Sequence, residues 1–536
     1  MDDLGAAGAA ELLDGLRADP PTEVAGRAVV AVADHLQRSE LVYGDRIAIV
    51  DEPDQVAAPL PDLTYGRMAE LARAMAAGLD GLGLDLGARV AIVSQNAARM
   101  LVFLFGTSAF GRIGVPINFR LNAEEVQYIV EHSGAEMLLM DPELVDTLGD
   151  VKVGRRLLTG EESDSLFVEG VEPRPWTPDE RATATINYTS GTTARPKGVE
   201  MTHRNLWLNA AVFGWQTLVS DRDVYLHTLP MFHCNGWGMP YVVTAMGGRH
   251  IVLRKVDGPE ILQRIEQHQI TLLCGAPAVI ATVLDAAADW DGEIPGSGHM
   301  RIVVAGAPPP TRTIERVEVE LGWEFIQIYG LTETAPLLTM NRCRAEWDDL
   351  DPGERAVRLS RAGAPALGVT LTTSPEGELL ARTNHVLKSY WDQPEATAEA
   401  LADDWFHTGD GAAIDDENYA AILDRKKDVI ISGGENVSSI EVEDTLFSHA
   451  AVAEVAVIGV PDEKWGETVK ALVVLAEDAG GVDEQSLIDH CRERLAHFKC
   501  PTSVEFRDQL ARTATGKLQK FKLRAPYWEG MEKQVN

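Results

Sequence analysis

The residues best equipped for chemistry are concentrated in Thr183 to Asn205, TATINYTSGTTARPKGVEMTHRN, where hydroxyls and glycines separate an apolar run from Lys197. Glycine lets backbone NH groups turn toward an anion. The hydroxyls of Thr189, Ser190, Thr192 and Thr193 add donors, and Lys197 adds positive charge. This is phosphate-binding chemistry in form, although a solvated Ser/Thr/Gly turn has the same composition. The order is not that of a Walker A loop, because Lys197 precedes Gly198 and no hydroxyl follows it. The strand ATINYT is expected to run into the loop, with a helix beginning near Thr202 and His203.

Composition bounds what such a loop could serve. The chain has 536 residues, 45% hydrophobic and 24% charged, enough for three to four domain-sized units or fewer large α/β layers. Its formal charge of −34 argues against sequence-independent nucleic-acid binding and against anionic membrane surfaces. A phosphate ligand must then be held by a locally basic or NH-rich site. No uncharged run approaches the roughly 18 to 20 residues of a membrane helix, and the acidic opening MDDLGAAGAAELLDGL is unlike a secretory signal, so the cytosol is expected. Cys234, Cys274, Cys343, Cys491 and Cys500 are widely spaced with no C-x-x-C pair, which predicts reduced thiols and no structural zinc.

Helical and strand periods alternate along most of the chain. RMAELARAMAAGLDGL (67–82) has helical spacing and ARVAIVS (88–94) reads as a buried strand. NAEEVQYIVEHSG opens with Asn122 and Glu125 in capping-box spacing and closes on Gly134. The alternation continues through PEILQRIEQHQ, TLLCGAP, AVIATVLDAA, MRIVVAGAP, PTRTIERVEVELG and EFIQIYG, the signature of parallel α/β layers. Near Asp424 the pattern changes to a charge cluster, glycines, a capped helix from about Ser438 and a compact α+β unit. The expected division is an N-terminal extension (1–42), a large unit (43–423) and a C-terminal unit (424–536).

The loop Y-T-S-G-T-T-A-R-P-K-G resembles the phosphate loop of adenylate-forming enzymes, the family of acyl-CoA synthetases, luciferases and peptide-synthetase adenylation domains. VVAGAPPP, IQIYGLTET, WFHTGD, LDRKKDVIISGGENV and ARTATGKLQK resemble its later motifs in the same order, so the resemblance covers about residues 45 to 530. It implies a large N-terminal domain of layered α/β subdomains with a small, mobile α+β C-terminal domain.

The resemblance also implies roles. Thr189, Ser190, Gly191, Thr192, Thr193 and Lys197 would hold the β- and γ-phosphates of ATP. Gly306, Ala307, Pro308, Gln327, Tyr329, Gly330, Thr332 and Ile422 would surround AMP, with Tyr329 facing adenine and Thr332 the α-phosphate. Asp410 and Arg425 would contact ribose. Glu333, with Thr189, would bind Mg²⁺. Lys517 would reach the carboxylate and α-phosphate, offsetting repulsion between two anions as the mixed anhydride forms. Asp424 matches the hinge, and Ser432, Gly433 and Gly434 would leave a channel for the pantetheine arm of CoA. The bland alternatives are a core tyrosine, a Gly-Asp-Gly turn and a solvated surface lysine.

In LPMFHCNGWGMPY, His233 stands where amino-acid-activating relatives carry an aspartate, so a substrate without an α-amino group is expected. Trp237, in an apolar helix, matches the residue that closes the acyl tunnel in fatty-acyl-CoA synthetases. His233, Asn235, Cys274, Gly275, Ala305 and Gly306 would wall an acyl pocket, and Ala276, Pro277 and Ala307 would add small apolar surface. The sequence departs from the family at Ala381-Arg382-Thr383, which replaces Arg-Gly, and in QLARTATGK, which lacks a proline.

The resulting expectation is ATP-dependent activation of a medium- or long-chain fatty acid to acyl-AMP and then acyl-CoA, with Mg²⁺ required and a possible homodimer. The rivals are an aryl or short-chain acid ligase, an enzyme that passes acyl-AMP to a carrier protein, a kinase that forms ADP, and a non-enzymatic nucleotide-binding regulator.

Overall fold

A computed structural model of the chain describes residues 29–189, 195–425, 428–432, 435–462, 465–476, 479–512 and 518–529. Local signals set most of its elements. The helical spacing after Leu63 becomes the helix Tyr65–Gly81, with Met68, Leu71, Met75 and Leu79 buried. Asn122 and Glu125 form the capping box of Ala123–Ser133, and Gly134 ends that helix at φ 63°.

Two large sheets carry the N-terminal part. The nine-stranded sheet runs Ala364–Pro365, Leu337–Arg342, Glu324–Gly330, Arg301–Val304, Leu272–Gly275, Val224–His227, Arg249–Val252, Ile47–Val50, Leu63–Thr64. From Glu324–Gly330 to Ile47–Val50 its strands are parallel. The seven-stranded sheet runs Ser389–Tyr390, Lys197–Thr202, Thr183–Thr189, Ile113–Ile117, Arg89–Val93, Met137–Met140, Arg155–Leu158. The largest core cluster draws side chains from both sheets and from the helices Tyr65–Gly81, Ala98–Ser108 and His203–Gln216.

A four-stranded sheet follows, ending in Ala420–Arg425, and then a five-stranded sheet with its own core around Val442, Val457, Ala471 and Leu487. The architecture is therefore the expected large layered α/β part with a small α+β part. No described helix is long and apolar enough to cross a membrane. All five cysteines are free thiols.

One local expectation is corrected. The polar loop does not lead directly into a helix, because Lys197–Thr202 returns as a strand antiparallel to Thr183–Thr189, and only then does His203–Gln216 begin. KGVEMT is too short to show a clear period, and its pairing with Thr183–Thr189 is invisible locally. The end of the expected N-terminal extension packs on the main body. Val32–Tyr43 is a helix that buries Val32, Ala33, Leu36 and Ser39 and packs on Met239–Met246 and Tyr65–Gly81.

Leu36 is 4% exposed. Leu36→Ala should cost about 2–4 kcal/mol through the cavity it leaves and lower the thermal midpoint measurably. A shift corresponding to less than about 0.5 kcal/mol would mean that this helix is peripheral.

Candidate active site

The two sheets meet where their strands end, and asparagine side chains make the join. Asn96, just after Arg89–Val93, donates from Nδ2 to the carbonyls of His227 (2.9 Å), Leu229 (2.8 Å) and Leu253 (3.2 Å), while its Oδ1 accepts from Met231 N (2.8 Å). This fixes the segment leading to His233. Asn235 then donates to Thr185 Oγ1 at 2.9 Å and accepts from Asn187 Nδ2 at 3.1 Å, and Thr185 closes the ring by donating to Asn187 Oδ1 at 2.9 Å. All three side chains of this ring are buried.

Between these ties the backbone makes a left-handed turn, with φ of 48° at Cys234, 50° at Asn235, 59° at Gly236, 58° at Trp237 and 79° at Gly238. Each non-glycine residue held there costs on the order of 1–2 kcal/mol. The closed amide ring and the burial of Trp237 offset that cost. Trp237 is thus in a strained turn rather than the expected apolar helix. Asn235, expected in the acyl-pocket wall, instead commits both ends of its amide to the Thr183–Thr189 strand.

At the end of Glu324–Gly330 the predicted nucleotide residues gather. Tyr329 donates its phenol proton to Asp410 Oδ2 at 2.7 Å, which places the two together. Gln327 is buried, and its Oε1 has no hydrogen-bond partner among the described groups. Gly330 is required sterically, because a Cβ there would lie 1.6 Å from Pro336 O. Thr332 is buried, and its carbonyl accepts from Cys234 Sγ at 3.9 Å, linking this turn to the strained one.

Glu333 Oε1 accepts from Tyr390 Oη at 2.9 Å, and Lys197 Nζ lies 4.6 Å from the centroid of the same tyrosine ring. Thr189 pairs with Lys197 in register. One carboxylate is a donor set that suits Mg²⁺, which is commonly held by one or two carboxylates together with substrate phosphates and water. Glu333, whose Oε1 accepts from a neutral donor, is the carboxylate that would hold such an ion.

Cys274, Ala305, Phe232, Cys234 and Trp237 share one side of the nine-stranded sheet in a single apolar cluster. Burial pushes the Cys274 thiol up to about 12, so it is an apolar wall rather than a nucleophile. Gly275 faces the Val279 side chain, while Gly306, at φ 91°, and Pro308 are exposed and Ala307 is half-buried. His233 is half-buried immediately before the turn. Behind Trp237 lies Asn209, fully buried, with Nδ2 at 3.5 Å from Trp237 O and Oδ1 accepting from Leu337 N at 3.2 Å.

On the C-terminal side, Asp410 pairs with Arg425 and Gly411 with Asp424 between neighbouring strands, with Ile422 opposite Ala412. Asp424 is buried, and its carboxylate accepts from the backbone NH (3.0 Å) and hydroxyl of Ser439. Lys520 reaches Ser439 and forms a 2.8 Å ion pair with Glu443. Burial disfavours the Lys520 charge, but Glu443 and Asp424 outweigh it and hold its pKa above the ordinary value. Ser432 pairs with Glu435 and Gly466. Ser190, Gly191, Thr192, Thr193, Gly433, Gly434 and Lys517 lie outside the described residues.

The sequence reading missed Tyr390, Asn96, Asn187 and Asn209, whose partners lie far away in the chain. Asn235→Leu keeps the size but leaves Thr185 and Asn187 without their shared partner. It should destabilise the protein by about 1–3 kcal/mol and reduce turnover more than nucleotide affinity, measured by thermal melts and ATP titration. Unchanged turnover would mean that the turn is not part of the site.

Comparison with known proteins agrees with this geometry. The family model described as AMP-binding enzyme matches residues 36–391, and the model of its C-terminal domain matches 441–517. The chain is 34% identical over 522 residues to 4-hydroxybutyrate–CoA ligase 2 of Metallosphaera sedula, covering 91% of this chain and 93% of that one. It is also 34% identical to the peroxisomal acetate/butyrate–CoA ligase AAE7 of Arabidopsis thaliana, covering 92% and 95%. Among solved structures, the o-succinylbenzoate CoA synthetase of Bacillus subtilis in complex with AMP aligns at TM-score 0.77 and 28% identity, over 91% of this chain and 98% of that one. The chain belongs to the AMP-binding enzyme family, the adenylate-forming ligases.

Proposed function

We propose that the enzyme activates a short or compact carboxylic acid as its acyl-AMP and transfers the acyl group to CoA: RCOO⁻ + ATP gives RCO-AMP + PPi, and CoA-SH then gives RCO-S-CoA + AMP + H⁺. The observations that support the chemistry are the Tyr329–Asp410 hydrogen bond, the unpaired Gln327 Oε1 on the same strand, and Lys197 and Glu333 meeting the same tyrosine, Tyr390. The orphan Gln327 Oε1 suits the exocyclic amine of adenine, Asp410 suits a ribose hydroxyl, and Lys197 suits the phosphates. Mg²⁺, when bound with ATP, neutralises phosphate charge and helps pyrophosphate leave. Thr332 and Lys517 would face the reacting oxygen, and Asp424 would let the C-terminal unit turn so that Ser432, Gly433 and Gly434 admit CoA.

The acid follows from a different feature. The buried Asn209 lies against the Trp237 carbonyl and the Leu337 NH, and in this reading it limits the depth of an acyl pocket at Trp237. The relatives named for 4-hydroxybutyrate and for acetate or butyrate point the same way. On this reading a short acid, rather than the medium- or long-chain acid expected from the Trp237 motif, is the proposed substrate.

Two experiments test this reading. Mass spectrometry with Mg-ATP, CoA and acids from acetate to palmitate plus aryl acids should give AMP, PPi and acyl-CoA with short acids, and Asn209→Ala should raise the octanoate-to-butyrate ratio of kcat/KM about tenfold. An unchanged ratio would remove Asn209 as the limit on length, and ADP would remove the reaction. Lys517→Ala should abolish acyl-AMP formation while ATP still binds, and Gly434→Leu should spare acyl-AMP but block the thioester. Equal losses of both half-reactions in both variants would contradict the division of labour.

A further inference from the structure

Tyr390 belongs to none of the motifs that suggested the chemistry, yet it touches two groups of opposite charge that the chemistry needs. It ends the short strand Ser389–Tyr390, which pairs with the return strand of the phosphate loop so that Tyr390 stands opposite Val199 and Trp391 N donates to Gly198 O at 2.7 Å. The same segment grips Glu333 twice, through Leu387 N to the Glu333 carbonyl at 2.6 Å and through the Tyr390 phenol to Oε1 at 2.9 Å. Tyr390 is 8% exposed, so both contacts are made away from bulk water.

We propose that Tyr390 is a positioning residue that keeps the Lys197 ammonium and the Glu333 carboxylate apart while holding each in place, so that one keeps its charge for the phosphates of ATP and the other for their metal. The proposal rests on the assignment of those two groups to Mg-ATP.

A direct Lys197–Glu333 ion pair would neutralise both charges before ATP arrived. The phenol instead offers Glu333 a neutral donor, and the ring face offers Lys197 an attraction that leaves its charge unpaired. Hydrogen bonds to a ligating carboxylate orient it, and their loss typically weakens metal binding about 10- to 100-fold.

Calorimetric titration of the full chain with ATP in EDTA, and with ATP plus Mg²⁺, reads the two functions separately. Tyr390→Phe keeps the ring and loses the hydroxyl, so metal-free ATP affinity should stay within about twofold while Mg-ATP affinity falls about tenfold. Tyr390→Leu lets Lys197 and Glu333 pair, so metal-free ATP affinity should also fall about tenfold. Adding Glu333→Gln to Tyr390→Leu should restore metal-free ATP affinity, a rescue that general damage to the fold would not give. Unchanged Mg-ATP affinity in Tyr390→Phe, or no rescue in the double variant, would overturn the role of Tyr390. Failure of the wild-type chain to bind Mg-ATP would instead overturn the assignment on which it rests.

Discussion

The site depends on the seam between two sheets, where buried polar side chains add fixed geometry to the apolar packing that joins them. Asn96 ties its amide to four backbone groups at and just beyond the ends of Val224–His227 and Arg249–Val252, and Asn235 closes a buried ring with Thr185 and Asn187 of the seven-stranded sheet. Apolar contacts tolerate sliding, whereas a closed hydrogen-bond ring has one geometry, and breaking it leaves buried groups unpaired. The strained turn from Cys234 to Gly238 is held in its conformation by this constraint.

From the seam outward, each part of the site is positioned by an element that ends there. The Glu324–Gly330 strand delivers Gln327 and Tyr329, the turn after it delivers Thr332 and Glu333, and the Thr183–Thr189 hairpin delivers Thr189 and Lys197. Ligand sites of α/β sheets commonly lie at the carboxyl ends of parallel strands. The net charge of −34 makes the arrangement of charge selective, because a polyphosphate needs a local exception to a repulsive surface. Lys197, held against the Tyr390 ring, would be such an exception in the proposed function.

What the sequence disclosed was what local spacing encodes. The capping box at Asn122 and Glu125, the parallel order of TLLCGAP, MRIVVAGAP and EFIQIYG, and the helix capped by Ser438 stand as read. The motif order led to the family because each motif is contiguous. What it hid depends on distant partners. The strand Lys197–Thr202 is defined by its pairing, Tyr390 by Glu333 57 positions earlier, and Asn96 by carbonyls more than 130 positions later. The helix Val32–Tyr43 was obscured by an Ala- and Asp-rich background that dilutes its buried face. Trp237 was misjudged as helical because an apolar run carries no sign of left-handed backbone.

The central claim is that a carboxylate oxygen attacks the α-phosphorus of ATP at the meeting of the two sheets. It is tested most directly by following oxygen: a short acid labelled with ¹⁸O in its carboxylate is converted with ATP and CoA, and the released AMP is weighed by mass spectrometry. Attack at the α-phosphorus predicts one ¹⁸O in AMP and none in pyrophosphate. Label in inorganic phosphate with formation of ADP, or unlabelled AMP alongside acyl-CoA, would contradict the account.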